Sequence, residues 1–139
     1  MASDTRFLCR WLGLYCLIAA LSMAMNGELK AVVMPALAHD APLLFVLGVL
    51  LVLGGLALVL THNRWTGGGY TVVVTVLCWL TLLKGLVFVL VPPGEAIAFY
   101  FGTMRYVQLF YLYAAITAAL GVYLCYGGFA VGPRRALEG

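Results

Sequence analysis

The sequence predicts an all-α protein, an integral membrane four-helix bundle, and three observations predict it. Of its 139 residues, 65% are hydrophobic and only 9% carry charge, whereas about a quarter of a water-soluble domain is charged. Its mean hydropathy is +1.07, the opposite of the low hydrophobicity and high charge that keep a chain disordered. Its apolar residues also gather into four runs of about the 20 residues that cross a bilayer, divided by short polar or Pro/Gly breaks. The natural solvent of such a chain is lipid, and residues 1–139 form one transmembrane domain.

The first span is expected over about 7–25, after the polar head Met1–Thr5, with Arg10 in its first turn free to snorkel to the headgroups. A cleaved signal peptide is the rival reading. Arg6 and Arg10 would be its basic region, Trp11–Met25 its apolar region and Ser22-Met23-Ala24 its cleavage site, leaving three spans. Residues 28–38 read as a short amphipathic helix at the interface or folded over the bundle mouth, because Leu29, Val32, Val33, Ala36 and Leu37 share one helical face, with Pro35 as a kink. Pro42 opens the second span, about 42–61, where Gly48, Gly54 and Gly55 invite a second helix to approach closely.

The break HNRWTGGG (62–69) is short and glycine-rich, so spans two and three are antiparallel neighbours. The third span, about 70–91, stops at Pro92-Pro93. A loop through Gly102 follows, then the fourth span, about 104–126, with a small-residue seam at Ala114, Thr117, Ala118 and Gly121. Arg6, Arg10, Arg64, Arg134 and Arg135 fall on one side of this topology, against Lys30 and Arg105 on the other. The positive-inside rule therefore expects both termini in the cytoplasm. Aromatic belts agree, with Trp11, Trp65, Tyr123 and Tyr126 at one interface and Phe99, Tyr100, Phe101 and Tyr106 at the other.

Lys84 is the one charge that no loop or span end accommodates. It lies fourteen residues into its span and eight before Pro92, about 12 Å below the span's end at 1.5 Å per residue. A lysine near the bilayer centre costs about 2.5–3.5 kcal/mol on insertion scales. The expected partner is an acid from the far side, Glu28 first, then Asp40 and Glu95, with Thr81 one turn away. Three roles stay open: a packing pair, a group that handles protons or a ligand, and simple snorkelling. His62-Asn63-Arg64-Trp65 reads as good chemistry for a helix end. Asn tolerates the left-handed conformation, His and Arg suit the negative pole, and Trp marks the interface. A binding role for His62 or Asn63, toward a cytosolic anion or a partner, is the alternative.

The remaining polar residues exclude several chemistries. Cys9, Cys16, Cys78 and Cys125 form no CxxC pair, which removes a disulfide oxidase and a zinc site. His39 and His62 lie on opposite sides of the membrane, so they cannot ligate one haem. No carboxylate lies in the first span, as a small drug–proton antiporter requires. The basic residues form no stripe for nucleic acid. No catalytic, cofactor-binding or metal-binding set emerges, and no cofactor is expected. Tyr106, Gln108, Tyr111, Tyr113 and Tyr123 place hydroxyls and an amide on the fourth span, where they need partners in the bundle or a neighbouring molecule.

HNRW at 62–65, WLTLLKG at 79–85 and the stop at Pro92 resemble a family of small bacterial four-span inner-membrane proteins. Its members share a His-Asn-x-Trp turn followed by a Gly-Trp-Leu…Lys-Gly helix. The resemblance covers residues 54–92, and the first span weakly through Arg10, Gly13 and Leu14. Cys78 departs from it, standing where the family has glycine before the tryptophan. The resemblance implies the topology, a bacterial inner-membrane location and interest in His62, Asn63, Trp65, Trp79, Lys84 and Gly85. The family carries no assigned activity, so it implies no reaction.

The leading expectation is a non-enzymatic subunit or scaffold that packs in the lipid bilayer with a membrane-complex partner or with copies of itself. The alternative is a small oligomeric transporter or channel whose polar centre is Lys84 with a far-side acid. A lipid- or quinone-binding module built on the tyrosine-rich fourth span is a third.

Overall fold

The structure is a computed structural model, and it describes residues 3–103, 105 and 108–130. Among these residues every regular element is helical. Four helices are long and apolar enough to cross a membrane: α1 (Ser3–Met25), α3 (Ala41–Thr61), α4 (Gly69–Leu90) and α6 (Phe110–Ala130). Two short helices, α2 (Leu29–His39) and α5 (Pro93–Ile97), complete the set.

The boundaries follow local chemistry. α1 begins earlier than the apolar run because Asp4, in its first turn, suits the positive pole of the helix. Asp40 caps α3, its Oδ1 accepting from the Leu43 N–H at 3.0 Å, and Pro42 occupies the first turn, where its missing N–H costs nothing. α4 ends at Val91, which is extended (φ −90°, ψ 137°) because a residue before proline is driven out of the helical region.

The interfacial helix expected over 28–38 is present, but its first part, Leu29–Val33, is wound as a π-helix. Pro35 has no N–H to close the α-type bond four residues back, and the widened winding falls just before it. The expected loop through Gly102 is instead helical. Pro93 opens α5, and π-type turns continue from Ala98 to Thr103. The fourth span was expected from 104, yet α6 begins only at Phe110. Arg105 carries φ +46°, a left-handed conformation that interrupts a right-handed helix. Met104, Tyr106, Val107 and residues 131–139 lie outside the described residues, and with them the belt position Tyr106 and the tail arginines 134 and 135.

The bundle consists of two tight antiparallel pairs, α1 with α6 and α3 with α4. Glycines set both registers. In the first pair a Cβ built on Gly13 would stand 2.8 Å from the Cys125 backbone nitrogen, and one on Gly121 would stand 2.9 Å from Leu17 Cγ. Arg10 continues the same register by donating from Nε to the Gly128 carbonyl at 2.8 Å, with its guanidinium over the Phe129 ring. Arg10 is thus held by the end of α6 and does not simply snorkel. In the second pair a Cβ on Gly48 would meet Phe88, one on Gly55 would meet Leu82, and one on Gly85 would meet Leu51 and Val52. Gly54, one residue from Gly55, faces open space.

The two pairs join chiefly through α1 and α4. Leu8, Cys9 and Leu12 of α1 meet Val74, Cys78 and Leu82 of α4, with Val59 and Leu124, in one buried core. All three α1 residues come from its N-terminal half, so this seam closes the end of the bundle where α1 starts. Tyr70 and Tyr123 stack across the same end, their centroids 4.5 Å apart. At the opposite end Lys30 of α2 stands over the Tyr111 ring of α6 at 5.2 Å.

Candidate functional site

Because the pairs are sealed only at one end, an apolar groove opens between α1 and the α3/α4 pair. It consists of two adjoining cavities. The inner one, toward the sealed end, is about 380 Å³ and is lined by Trp11, Leu12, Leu50, Gly54, Leu58 and Thr81. The second, about 250 Å³, lies under Met34 and Leu37 of α2 and reaches Leu44, Phe88 and Tyr100. Tyr15, Leu51 and Lys84 line both. The first volume falls at the lower end of small-molecule sites and the second just below it.

Lys84 lines both cavities and is exposed, and the expected acid is not beside it. Its Nζ stands 5.8 Å from the centroid of Tyr100 and 6.0 Å from that of Phe88. Among the described residues it forms no ion pair and no hydrogen bond. Glu28 is exposed at the start of the π-helical turn and makes no side-chain cap. The pairing expectation is corrected on this point. The helical start of α2 leaves Glu28 on an exposed turn, and ring faces occupy the space beside the ammonium. Thr81, one turn back, has its hydroxyl engaged with the Leu77 carbonyl of its own helix at 2.8 Å.

The other donors of the groove are equally unmatched. Neither the Tyr15 and Tyr100 hydroxyls nor the Trp11 indole N–H has a hydrogen-bond partner among the described residues. Burial pushes the Tyr100 phenol up, so it stays a proton donor at neutral pH. Among the described residues the groove thus gathers one cation and several unmatched donors, and no carboxylate.

The second cluster of expected residues proves to be a clamp on the loop between α3 and α4. Asn63 Oδ1 accepts from the indoles of Trp65 at 3.0 Å and Trp79 at 3.4 Å. Thr75 donates to the Arg64 carbonyl at 2.7 Å and shares that proton with the Thr71 carbonyl at 2.9 Å. Thr71 reaches the Gly67 carbonyl at 3.4 Å. Thr71, Thr75 and Trp79 recur every four residues, so they form one stripe of α4 turned toward the loop. The stripe was legible as TxxxTxxxW in the sequence, but the two threonines were not singled out.

His62 ends α3 with its N–H on the Leu58 carbonyl, and its side chain is buried, only 1% exposed. Its Nε2 and the Nε of Arg6 are buried nitrogens without a hydrogen-bond partner. The left-handed positions of this loop are Gly67 (φ +121°) and Gly68 (φ +110°), not Asn63 as expected. Without a Cβ, glycine adopts that conformation at no steric cost, which leaves Asn63 free to serve as acceptor. His62, Asn63, Trp65 and Trp79 thus gather at the sealed end, apart from Lys84 and the groove.

Fold and site together define a multi-pass membrane bundle with a sealed end, a clamped loop and a lateral groove around one lysine. Compared with known protein families, with curated proteins and with solved structures, the chain has no match.

Proposed function

We propose that the chain is a non-enzymatic membrane subunit whose groove holds an apolar molecule bearing an oxygen acceptor. The observation that carries this reading is the set of unmatched donors. Lys84, Tyr15 and Tyr100 line adjoining cavities that contain no carboxylate, and none of the three has a hydrogen-bond partner among the described residues. An ammonium in hydrocarbon without an acid is costly, and a ligand oxygen supplies what the chain does not. The setting we propose is the bacterial inner membrane with both termini in the cytoplasm. Arg6, Arg10 and Arg64 at the sealed end, against Lys30 and Arg105 at the other, support that orientation.

The test compares three purified full-length proteins, wild type, Lys84→Met and Gly54→Leu, by native mass spectrometry from mild detergent. Wild type is expected to retain a small-molecule adduct that both variants lose, one through its lost charge and the other through a filled cavity. Identical spectra for all three would overturn the reading.

A scaffold role has one observation in its favour. Leu17, Ala20, Ala24, Ala114 and Ala118 line a shallow groove of about 410 Å³ on the α1/α6 pair, a small-residue surface on which another transmembrane helix packs closely. Blue native electrophoresis of Ala24→Leu with Ala115→Leu, both exposed on that groove, tests it, the expected result being loss of a higher assembly.

A further inference from the structure

We infer that the groove's ligand is a single-chain carboxylic amphiphile, its carboxylate held beside Lys84 and its chain lying in the apolar cavity. The inference rests on the ligand-groove reading above and narrows it to one chemical class.

Charge is the first ground. A neutral acceptor such as a quinone carbonyl would take a hydrogen bond but leave the ammonium's charge unbalanced in a low-dielectric groove. A carboxylate neutralises it, and charge-assisted hydrogen bonds are about twice as strong as neutral ones. Donor number is the second. An ionised carboxylate offers about four lone-pair sites and no proton, matching a lining in which Lys84, Tyr15 and Tyr100 are each able to donate.

Depth and shape are the third. Lys84 lies six residues from Leu90 at the end of α4, about 9 Å along the helix at 1.5 Å per residue. A carboxylate reaches that depth from the nearer interface while its chain continues into the cavity lined by Leu12, Leu50 and Leu58. A phospholipid would have to bring a whole polar headgroup beneath Met34 and Leu37 and past Leu44, Leu47 and Phe88. Gly54 keeps the inner cavity open, since nothing lies within 4 Å of its Cβ position.

Trp11 lines the inner cavity, so a stearate brominated in mid-chain is a direct probe. Bromine quenches indole emission at short range. With the full chain in lipid nanodiscs, the acid is expected to quench saturably, and its methyl ester at least about tenfold more weakly, the loss expected of a charge-assisted bond. Lys84→Met should weaken the acid by a similar factor and leave the ester unchanged, while Lys84→Arg, which keeps the cation, should retain most of the affinity. The ester comparison uses wild type alone, so it stands whatever the variants do.

Equal binding of acid and ester, or displacement of the acid by a short-chain benzoquinone at lower concentration, would overturn the carboxylate assignment and leave the ligand groove standing. Quenching that never saturates, is the same in wild type, Lys84→Met and Gly54→Leu, and is unmoved by the benzoquinone would overturn both.

Discussion

Gly55 of α3 and Leu82 of α4 meet backbone to backbone: a Cβ on Gly55 would stand 2.7 Å from the Leu82 Cα and nitrogen. Real Cβ atoms do not approach so closely, and a helix backbone cannot step aside as a flexible side chain can. Gly55→Ala is therefore expected to cost about 1–3 kcal/mol through overpacking. The adjacent Gly54→Ala meets nothing within 4 Å, and should gain up to about 1 kcal/mol from helix propensity. Thermal unfolding of the two variants side by side checks the pair; equal effects would contradict the α3/α4 register.

Lys84→Met distinguishes a group kept for a ligand from one kept for packing. A packing lysine holds an acid, and its removal destabilises. Lys84 has no such acid among the described residues, and its charge weighs against burial in lipid by about 2.5–3.5 kcal/mol on insertion scales. The ligand-free Lys84→Met protein should melt higher than wild type, the full insertion figure being an upper limit because part of the groove is open. A lower melting temperature would restore a structural role.

Asn63→Ala withdraws the acceptor shared by Trp65 and Trp79. The expected loss is about 1–2 kcal/mol, with a change in tryptophan emission as two indole N–H groups lose their partner. Thr75→Val removes the hydroxyl that holds the Arg64 carbonyl and should cost about 1 kcal/mol with a smaller change in emission. Hydrogen exchange at residues 62–68 reads both effects, and unchanged protection would contradict the clamp.

The register of α1 against α6 follows from Arg10 with Gly128, Gly13 with Cys125 and Leu17 with Gly121. It places Ala20 level with Ala118, and both line one groove. In a background whose native cysteines are replaced by alanine, Ala20→Cys with Ala118→Cys should cross-link readily under mild oxidation. Ala57→Cys with Ala118→Cys should not, since α3 and α6 do not form a packed pair.

Where sequence succeeded and failed follows from the range of the forces involved. Apolar runs and proline stops act within a few residues, so the second and third spans were legible to within a residue of Ala41–Thr61 and Gly69–Leu90. The start of α6 was not, because a left-handed Arg105 is a conformational choice that composition does not announce. Lys84 stood out because charge in an apolar run has an energy that needs no neighbours to evaluate. Its surroundings were misjudged because an ion pair was assumed from the cost, whereas ring faces stand beside it. Tyr15 and Trp11 were ordinary aromatics until helix packing brought them into one cavity with Lys84.

Sequence by itself thus determined the solvent of this protein, the number of its long apolar helices and the one charge that lies far from a helix end. These are sums over single residues, and each residue's transfer energy is nearly independent of the fold. Tertiary structure decided which glycines are notches and which is an opening, that the His-Asn-x-Trp turn is a clamp, and that Lys84 shares its cavities with unmatched donors and, among the described residues, with no acid. Those are pairwise relations across helices, set by a register that depends on close backbone approach, and no single position carries them.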